Sequence, residues 1–179
     1  TGIQANNPWL QELPDPMTKV TWDNYITMNP VEMTAAGYAT TFDQENGLNM
    51  ATVKVGNEEV TLPVYPLPGQ APKTIGIALG YGRGANGENI GKAAFQTKEY
   101  GGHVQTADGK LTPIGANVFG MVSTGATMVY SAAAKVTAAE GTYPIAATQI
   151  HHTVMGRDSI VRETTLSIFK DREKDAYNE

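Results

Sequence analysis

The sequence contains no cysteine, which excludes disulfide bonds, thiolate zinc sites and iron–sulfur clusters held by this chain. Charged residues make up only 17% of the 179 residues. There are 13 basic and 18 acidic residues, which gives a net charge of −5. Without a basic stripe, we expect no binding to nucleic acid. The apolar runs are far shorter than the ~20 residues that span a bilayer, so we also predict no direct membrane insertion.

Turn-forming residues are abundant instead, with 19 glycines and 10 prolines. This balance favours a mainly β fold with short helices. The period-two alternation of "KVTWDNYITM" predicts a strand in which Asn24 is the one polar residue of the apolar face. Gly56-Asn57 predicts a hairpin between two further strands, and "TIGIAL" predicts another strand. The stretch "NPVEMTAAG" predicts a helix that Asn29 caps and Gly37 ends.

Composition divides the chain into three parts. Residues 1–18 are predicted to be an extended arm, because three prolines disfavour a regular helix, with Trp9, Leu10 and Leu13 pinning the arm to a surface. Residues 19–156 form the main β domain. Residues 157–179 are a charged tail or a linker to a following domain outside this chain. We therefore expect the chain to be part of a longer protein.

A block of unusually low charge runs from Leu111 to Gly156, where only Lys135 and Glu140 carry formal charge. Its segments "GANVFGMV", "TMVYSAAAKVTAA" and "YPIAATQIHHTV" resemble strands that need burial on most sides. They either form the core of the domain or face another domain.

The stretch from Gly82 to Gly87, "GRGANG", matches the dinucleotide-binding pattern G-x-G-x-x-G. A Rossmann loop also requires a crossover helix of about a dozen residues, and Gly91 and Gly101-Gly102 leave room only for a short one. Strand patterns, rather than alternating strands and helices, lie on both sides. We therefore set the Rossmann interpretation aside: the loop either turns tightly or brings its backbone close to a ligand or a neighbouring domain.

Residues suited to catalysis or metal binding are sparse. His151 and His152 would point to opposite faces of a strand, so they are poorly placed to share a metal. Ser123 in "GMVSTG" misses the G-x-S-x-G nucleophile pattern, and no paired carboxylates lie in an apolar segment. We predict no catalytic residue and no metal site, which leaves a binding or structural role.

Four stretches occur in an order that resembles one family: "NPWLQELPDPMTKVTWDNYITMNP", "PVYPLPGQAPKTIGIALGYGRG", "IGANVFGMVS" and "GTYPIAATQIHHTVMGRDSIVRET". They are similar to the C-terminal molybdopterin-dinucleotide-binding region of molybdenum oxidoreductases of the polysulfide and tetrathionate reductase type. The likeness is strongest to the large iron–sulfur subunit of the quinol-oxidising alternative complex III of bacteria. It covers the chain from about Asn7 to Glu163, although "AAGYATTFDQENGLNMATV" departs from the usual turn of these domains.

The resemblance implies a double-psi β-barrel, in which backbone groups and amide side chains grip the pterin and guanine ends of the cofactor. The residues that match this cofactor-binding set are Asn24, Gly82, Arg83, Asn117, Gln149 and His151. For each of them, the alternative is an ordinary buried hydrogen bond.

Two functions follow from the resemblance. The complex III subunit, as a family, lacks the molybdenum cofactor. The chain would then be a scaffold domain without cofactor or catalysis of its own, on the periplasmic face of a respiratory complex. Its partners would be the rest of its subunit, whose iron–sulfur clusters lie outside this chain, and the other subunits. Alternatively, the domain caps molybdopterin guanine dinucleotide in an active enzyme. A third, unrelated possibility is a β-sandwich that binds carbohydrate.

Overall fold

The computed structural model describes residues 2–3, 6–43, 46–82, 95–96, 104–122, 133–150, 156–157, 160 and 164–171. The chain divides into two compact units, Thr1–Thr148 and Gln149–Glu179. Among the described residues, the first unit contains a sheet, two short α-helices and one 3₁₀ helix, and the second contains one α-helix. The elements are α1 (Pro8–Glu12), β1 (Ile26–Met28), α2 (Pro30–Ala35), β2 (Leu48–Val55), β3 (Glu58–Pro66), β4 (Gly76–Ile77), a 3₁₀ helix (Phe119–Met121), β5 (Lys135–Tyr143) and α3 (Leu166–Asp171).

The five strands form one mixed sheet in the order β4-β1-β3-β2-β5. Strand β1 runs parallel to β3, and the other neighbouring pairs are antiparallel. The prediction of a mainly β fold with short helices is therefore confirmed. Over the described residues the sheet is open, with β4 and β5 at its two edges.

The core lies against the central strands and α2. Ile26, Leu48, Val53 and Val64 from the strands and Met33 from α2 are all fully buried. Burying one such side chain stabilises a fold by roughly 1.5–3 kcal/mol. This core fixes β1, and with it the polar segment that precedes β1 in the chain.

Helix α2 and the hairpin follow the sequence predictions. The side-chain oxygen of Asn29 accepts a hydrogen bond from the Val31 N–H at 2.9 Å, and Gly37 adopts φ +81° just after the helix. Strands β2 and β3 flank the Gly56-Asn57 turn. In these elements local chemistry and tertiary structure agree.

Several predicted elements differ in the structure. Strand β1 begins at Ile26 rather than at Lys19, because Lys19 and Trp22 adopt φ 62° and 65°, which a regular strand cannot contain. The segment "TIGIAL" supplies only the two residues of β4. The prediction of a strand at "GANVFGMV" is wrong, since this stretch contains the 3₁₀ helix at Phe119–Met121.

The N-terminal segment is not wholly extended, as it contains α1. Pro8 occupies the first turn, where a missing N–H costs nothing, and the Asn7 side chain caps the helix. Trp9, Leu10 and Leu13 do not pin the segment to this chain, because they are 83%, 45% and 67% exposed.

Candidate functional site

The polar segment before β1 contains a completely buried amide. Asn24 has no solvent exposure, and its Nδ2 donates hydrogen bonds to the carbonyl oxygens of Ala78 and Ala116, both at 3.0 Å. Its Oδ1 accepts from the Ala116 N–H at 2.9 Å. One side chain thus ties the entry of β1 to the segment after β4 and to the loop around Ala116. These bonds satisfy the polar atoms of the Asn24 side chain, which burial would otherwise leave unpaired.

Two glycines allow the chain to close around this amide. Gly115 adopts φ 69°, and a Cβ there would lie 2.7 Å from the Asn24 Oδ1. Gly82 adopts φ 70°, and a Cβ there would lie 2.3 Å from the Asn117 backbone nitrogen. Both positions combine a left-handed backbone with a close approach, so both require glycine.

Next to the amide lies a buried carboxylate. Asp23 is 7% exposed and accepts hydrogen bonds from the Gly115 N–H at 3.1 Å and from the Tyr143 hydroxyl at 3.0 Å. Burial raises the pKa of Asp23 to about 6, although both hydrogen bonds favour the ionised form. Burial, together with the Asp23 charge, also raises the pKa of Tyr143.

A second polar cluster holds the loop that leads into this site. The Asp15 Oδ1 accepts from the backbone N–H groups of Met17 and Thr18, at 2.9 Å and 2.8 Å. The Tyr65 hydroxyl donates to the Thr18 carbonyl at 2.7 Å, and the Tyr25 hydroxyl is hydrogen-bonded to the Thr18 hydroxyl. These contacts fix the irregular backbone before β1 and so determine where Asp23 and Asn24 are placed.

The structure brings together three of the six predicted cofactor-binding residues, Asn24, Gly82 and Asn117, around the backbone at Ala116. Asn117 is exposed, and its side-chain oxygen accepts from the Phe119 N–H at 3.0 Å. Gln149 is exposed and belongs to the second unit, with φ 59°. The other two, Arg83 and His151, lie outside the described residues.

The first three residues fit a ligand-binding role poorly in this arrangement. The amide of Asn24 is already bonded to backbone groups. Backbone atoms of residues 116–117 occupy the space that a side chain at Gly82 would need. The side-chain oxygen of Asn117 is used within its own turn. For Asn24, both Nδ2 hydrogens and one lone pair of Oδ1 are thus used by backbone groups of the same chain. The assignment of the six residues to a cofactor stays a prediction.

An apolar cavity of about 190 Å³ lies elsewhere in the first unit, between the sheet and the 3₁₀ helix. Its lining consists of aliphatic side chains and one methionine: Val53, Val55, Ile75, Ile77, Leu79, Val118, Met121, Val122 and Ala134. None of these described lining residues is titratable, so they offer packing contacts.

Sequence reasoning did not find Asp23, Gly115 and Tyr143. Strand alternation placed Asp23 on the face opposite Asn24, but the turn at Trp22 directs both side chains inward. Tyr143 lies 120 positions from its partner in the sequence. No local pattern signals such a contact. The adjacent polar pair in "TWDN", inside an otherwise apolar stretch, was the available hint.

Within the described ranges, no group of three or more His, Asp or Glu side chains is placed to hold a metal ion. The helices described here are all too short to cross a membrane. A scan of the chain against protein-family models found no match, and neither did a search of the curated proteins.

Proposed function

We propose that this chain is a scaffold domain, without catalysis of its own, in a molybdopterin-oxidoreductase-like iron–sulfur subunit. The subunit would belong to a respiratory quinol-oxidising complex and lie on its periplasmic face. The family and the location rest on the four sequence stretches from Asn7 to Glu163. The proposed finer fold, a double-psi β-barrel that includes the open five-stranded sheet, has the same basis.

The observation that carries the non-catalytic role is the bonding of Asn24. All its polar side-chain atoms contact backbone groups of the same unit, at 2.9–3.0 Å. An amide that gripped a cofactor would need a donor or acceptor directed at the ligand. Here the amide joins three chain segments, so we assign Asn24 a structural role.

Exposed apolar side chains support a docking role. Trp9 is 83% exposed, Leu13 67% and Met17 72%, all within the first 17 residues. Strand β5 is also largely exposed, although it belongs to the low-charge block. A contiguous exposed apolar patch is typical of a surface that a partner covers, and we propose that these side chains belong to one. We propose that the remainder of the same subunit covers them.

Hydroxyl-radical footprinting of the intact complex tests this proposal, because methionine oxidation reports exposure. Met17 is 72% exposed in this chain and Met33 is fully buried, so the two residues provide a matched pair within one molecule. If the N-terminal segment docks, Met17 will oxidise about as slowly as Met33. The exposed turn at Thr106–Lys110 serves as the labelled reference.

Rapid oxidation of Met17 in the intact complex, at the rate of a free methionine, would contradict docking of this segment. Labelling throughout β5 as strong as in the reference turn would remove the remaining support for a scaffold. The competing role, capping molybdopterin guanine dinucleotide, is decided separately by the cofactor content of the full-length protein.

A further inference from the structure

The Asp23 carboxylate joins three separate parts of the first unit. It belongs to the segment before β1, it accepts from Gly115 in the loop before the 3₁₀ helix, and it accepts from Tyr143 at the end of β5. The Tyr143 hydroxyl lies 3.0 Å and 3.2 Å from the two carboxylate oxygens. The end of β5 is therefore held in two ways: Tyr143 pairs with Leu48 of β2 in the sheet, and its hydroxyl bonds to Asp23.

The residues after Tyr143, which we name the strap (residues 144–148), run beside the same segment. The Thr21 N–H donates to the Ala146 carbonyl at 2.8 Å, and the Thr148 N–H donates to the Lys19 carbonyl at 2.9 Å. The strap thus depends on these backbone hydrogen bonds, on a bond from the Thr21 hydroxyl to the Ala146 carbonyl at 3.2 Å, and on the attachment of Tyr143, which immediately precedes it. A change at Asp23 will therefore act on the strap through Tyr143.

Among the residues that the structure describes, no cation lies against the Asp23 carboxylate. Its hydrogen-bond donors are neutral, and the one ion pair among the described residues is Lys110 with Asp108. Two tyrosines lie near Asp23: Tyr143 at the end of β5 and Tyr81 in the segment after β4. Burial is the main cause that raises the pKa of each, and the negative charge of Asp23 raises both further. The loop at 114–117 contributes no titratable group. On its own segment, the Lys19 Nζ donates to the Pro16 carbonyl and Asp15 bonds to Thr18.

A buried carboxylate without a cation is stable in its neutral form and costly when ionised. When neutral, it still accepts from the Gly115 N–H, and its own O–H can donate to the Tyr143 oxygen. Ionisation keeps the two bonds to the carboxylate but leaves a desolvated charge. Opening the strap would return that charge to water.

We propose that Asp23 is a proton-controlled latch on the strap: its carboxyl bridges Tyr143 and Gly115 in both protonation states, and its ionisation, which leaves a desolvated charge, favours release of residues 144–148.

The direction of the pH dependence follows from the pKa values. The pKa of Asp23 is raised from 3.8 to about 6 in the closed form. The latch is therefore at full strength below about pH 3.8, weakens as pH rises, and reaches its minimum strength above about pH 6. If opening restores the ordinary pKa, the opening equilibrium will increase roughly 50-fold between about pH 4 and about pH 7.

Amide hydrogen exchange on the full chain, corrected for the intrinsic pH dependence of exchange, measures this opening at residues 141–148. In the wild type we expect protection of the strap to fall by roughly 50-fold over that pH range. In Asp23→Asn, which keeps the size and an acceptor, the corrected protection should change by less than about 3-fold, since no charge forms at this position. Asp108→Asn, an exposed carboxylate, should follow the wild type.

Identical pH profiles for the wild type and Asp23→Asn would overturn the proposal. If Asp23→Asn does not fold, Tyr143→Phe provides a second test, because it removes a donor that favours the ionised carboxylate. The Asp23 pKa, followed by carbon-13 NMR of its carboxyl, should then rise above the wild-type value. An unchanged pKa in Tyr143→Phe would also overturn the latch.

Discussion

Replacing Asn24 by alanine tests the central structural role assigned to this residue. The change removes three hydrogen bonds of 2.9–3.0 Å and leaves two carbonyl oxygens and one N–H without their partner. Each bond contributes about 1 kcal/mol net, which gives about 3 kcal/mol for the three bonds, and the part-buried backbone groups left without their partner add up to about 2 kcal/mol in total. We expect the free energy of unfolding to fall by about 3–5 kcal/mol, a large share of the roughly 5–15 kcal/mol of a typical domain.

Urea unfolding measures this loss as a lower midpoint at an unchanged slope. Asn117→Ala is the matched control, since Asn117 is exposed and its side-chain oxygen accepts a hydrogen bond from the Phe119 N–H at 3.0 Å. We expect that variant to lose less than about 1 kcal/mol. Equal losses in the two variants, or a loss below about 1 kcal/mol for Asn24→Ala, would refute the reasoning. The Asn24 amide would then not be the tie between segments that its contacts indicate.

Two further substitutions test the backbone around the site. Gly82→Ala would place a Cβ 2.3 Å from the Asn117 nitrogen at φ 70°, so we expect a loss of about 3 kcal/mol or more, whereas Gly109→Ala at φ 79° meets nothing and should lose only about 1–2 kcal/mol. Thermal unfolding compares the two, and equal melting temperatures would contradict the close approach. Asn29→Ala removes the cap on Val31, and we expect a loss of about 1 kcal/mol in urea unfolding; an unchanged midpoint would show that the cap contributes nothing.

Local sequence signals were sufficient where a few neighbouring residues determine the structure. The Asn29 cap with Gly37 after it, and the Gly56-Asn57 turn between two apolar runs, required no information from distant residues. Period-two alternation in "KVTWDNYITM" also identified β1, but only the last three residues of that stretch, Ile26–Met28, form a strand. The left-handed conformations of Lys19 and Trp22 are fixed by tertiary contacts, such as the hydrogen bond from the Trp22 N–H to the Gln11 carbonyl.

The composition of the site could be predicted in part. Asn24 stood out as a polar residue on an apolar face, and it is fully buried. Its partners Ala78 and Ala116 lie 54 and 92 positions away, so their roles depend on the folded chain. The low charge of β5 predicted either burial in the core or contact with another domain; most of its residues are exposed in this unit, so the second alternative stays a prediction. A sequence pattern shows that a segment needs covering but does not show whether its own chain covers it.

Molybdenum, tungsten and pterin content, measured on the full-length protein purified from its native host in folded form, tests the proposed function most directly. Mass spectrometry gives the metal content, and fluorescence after oxidation reports the pterin. The scaffold role predicts neither metal nor pterin in stoichiometric amount, in keeping with an Asn24 whose polar atoms are bonded within the chain. One metal and a matching pterin signal for each chain would contradict it and make this domain the cap of a working redox enzyme.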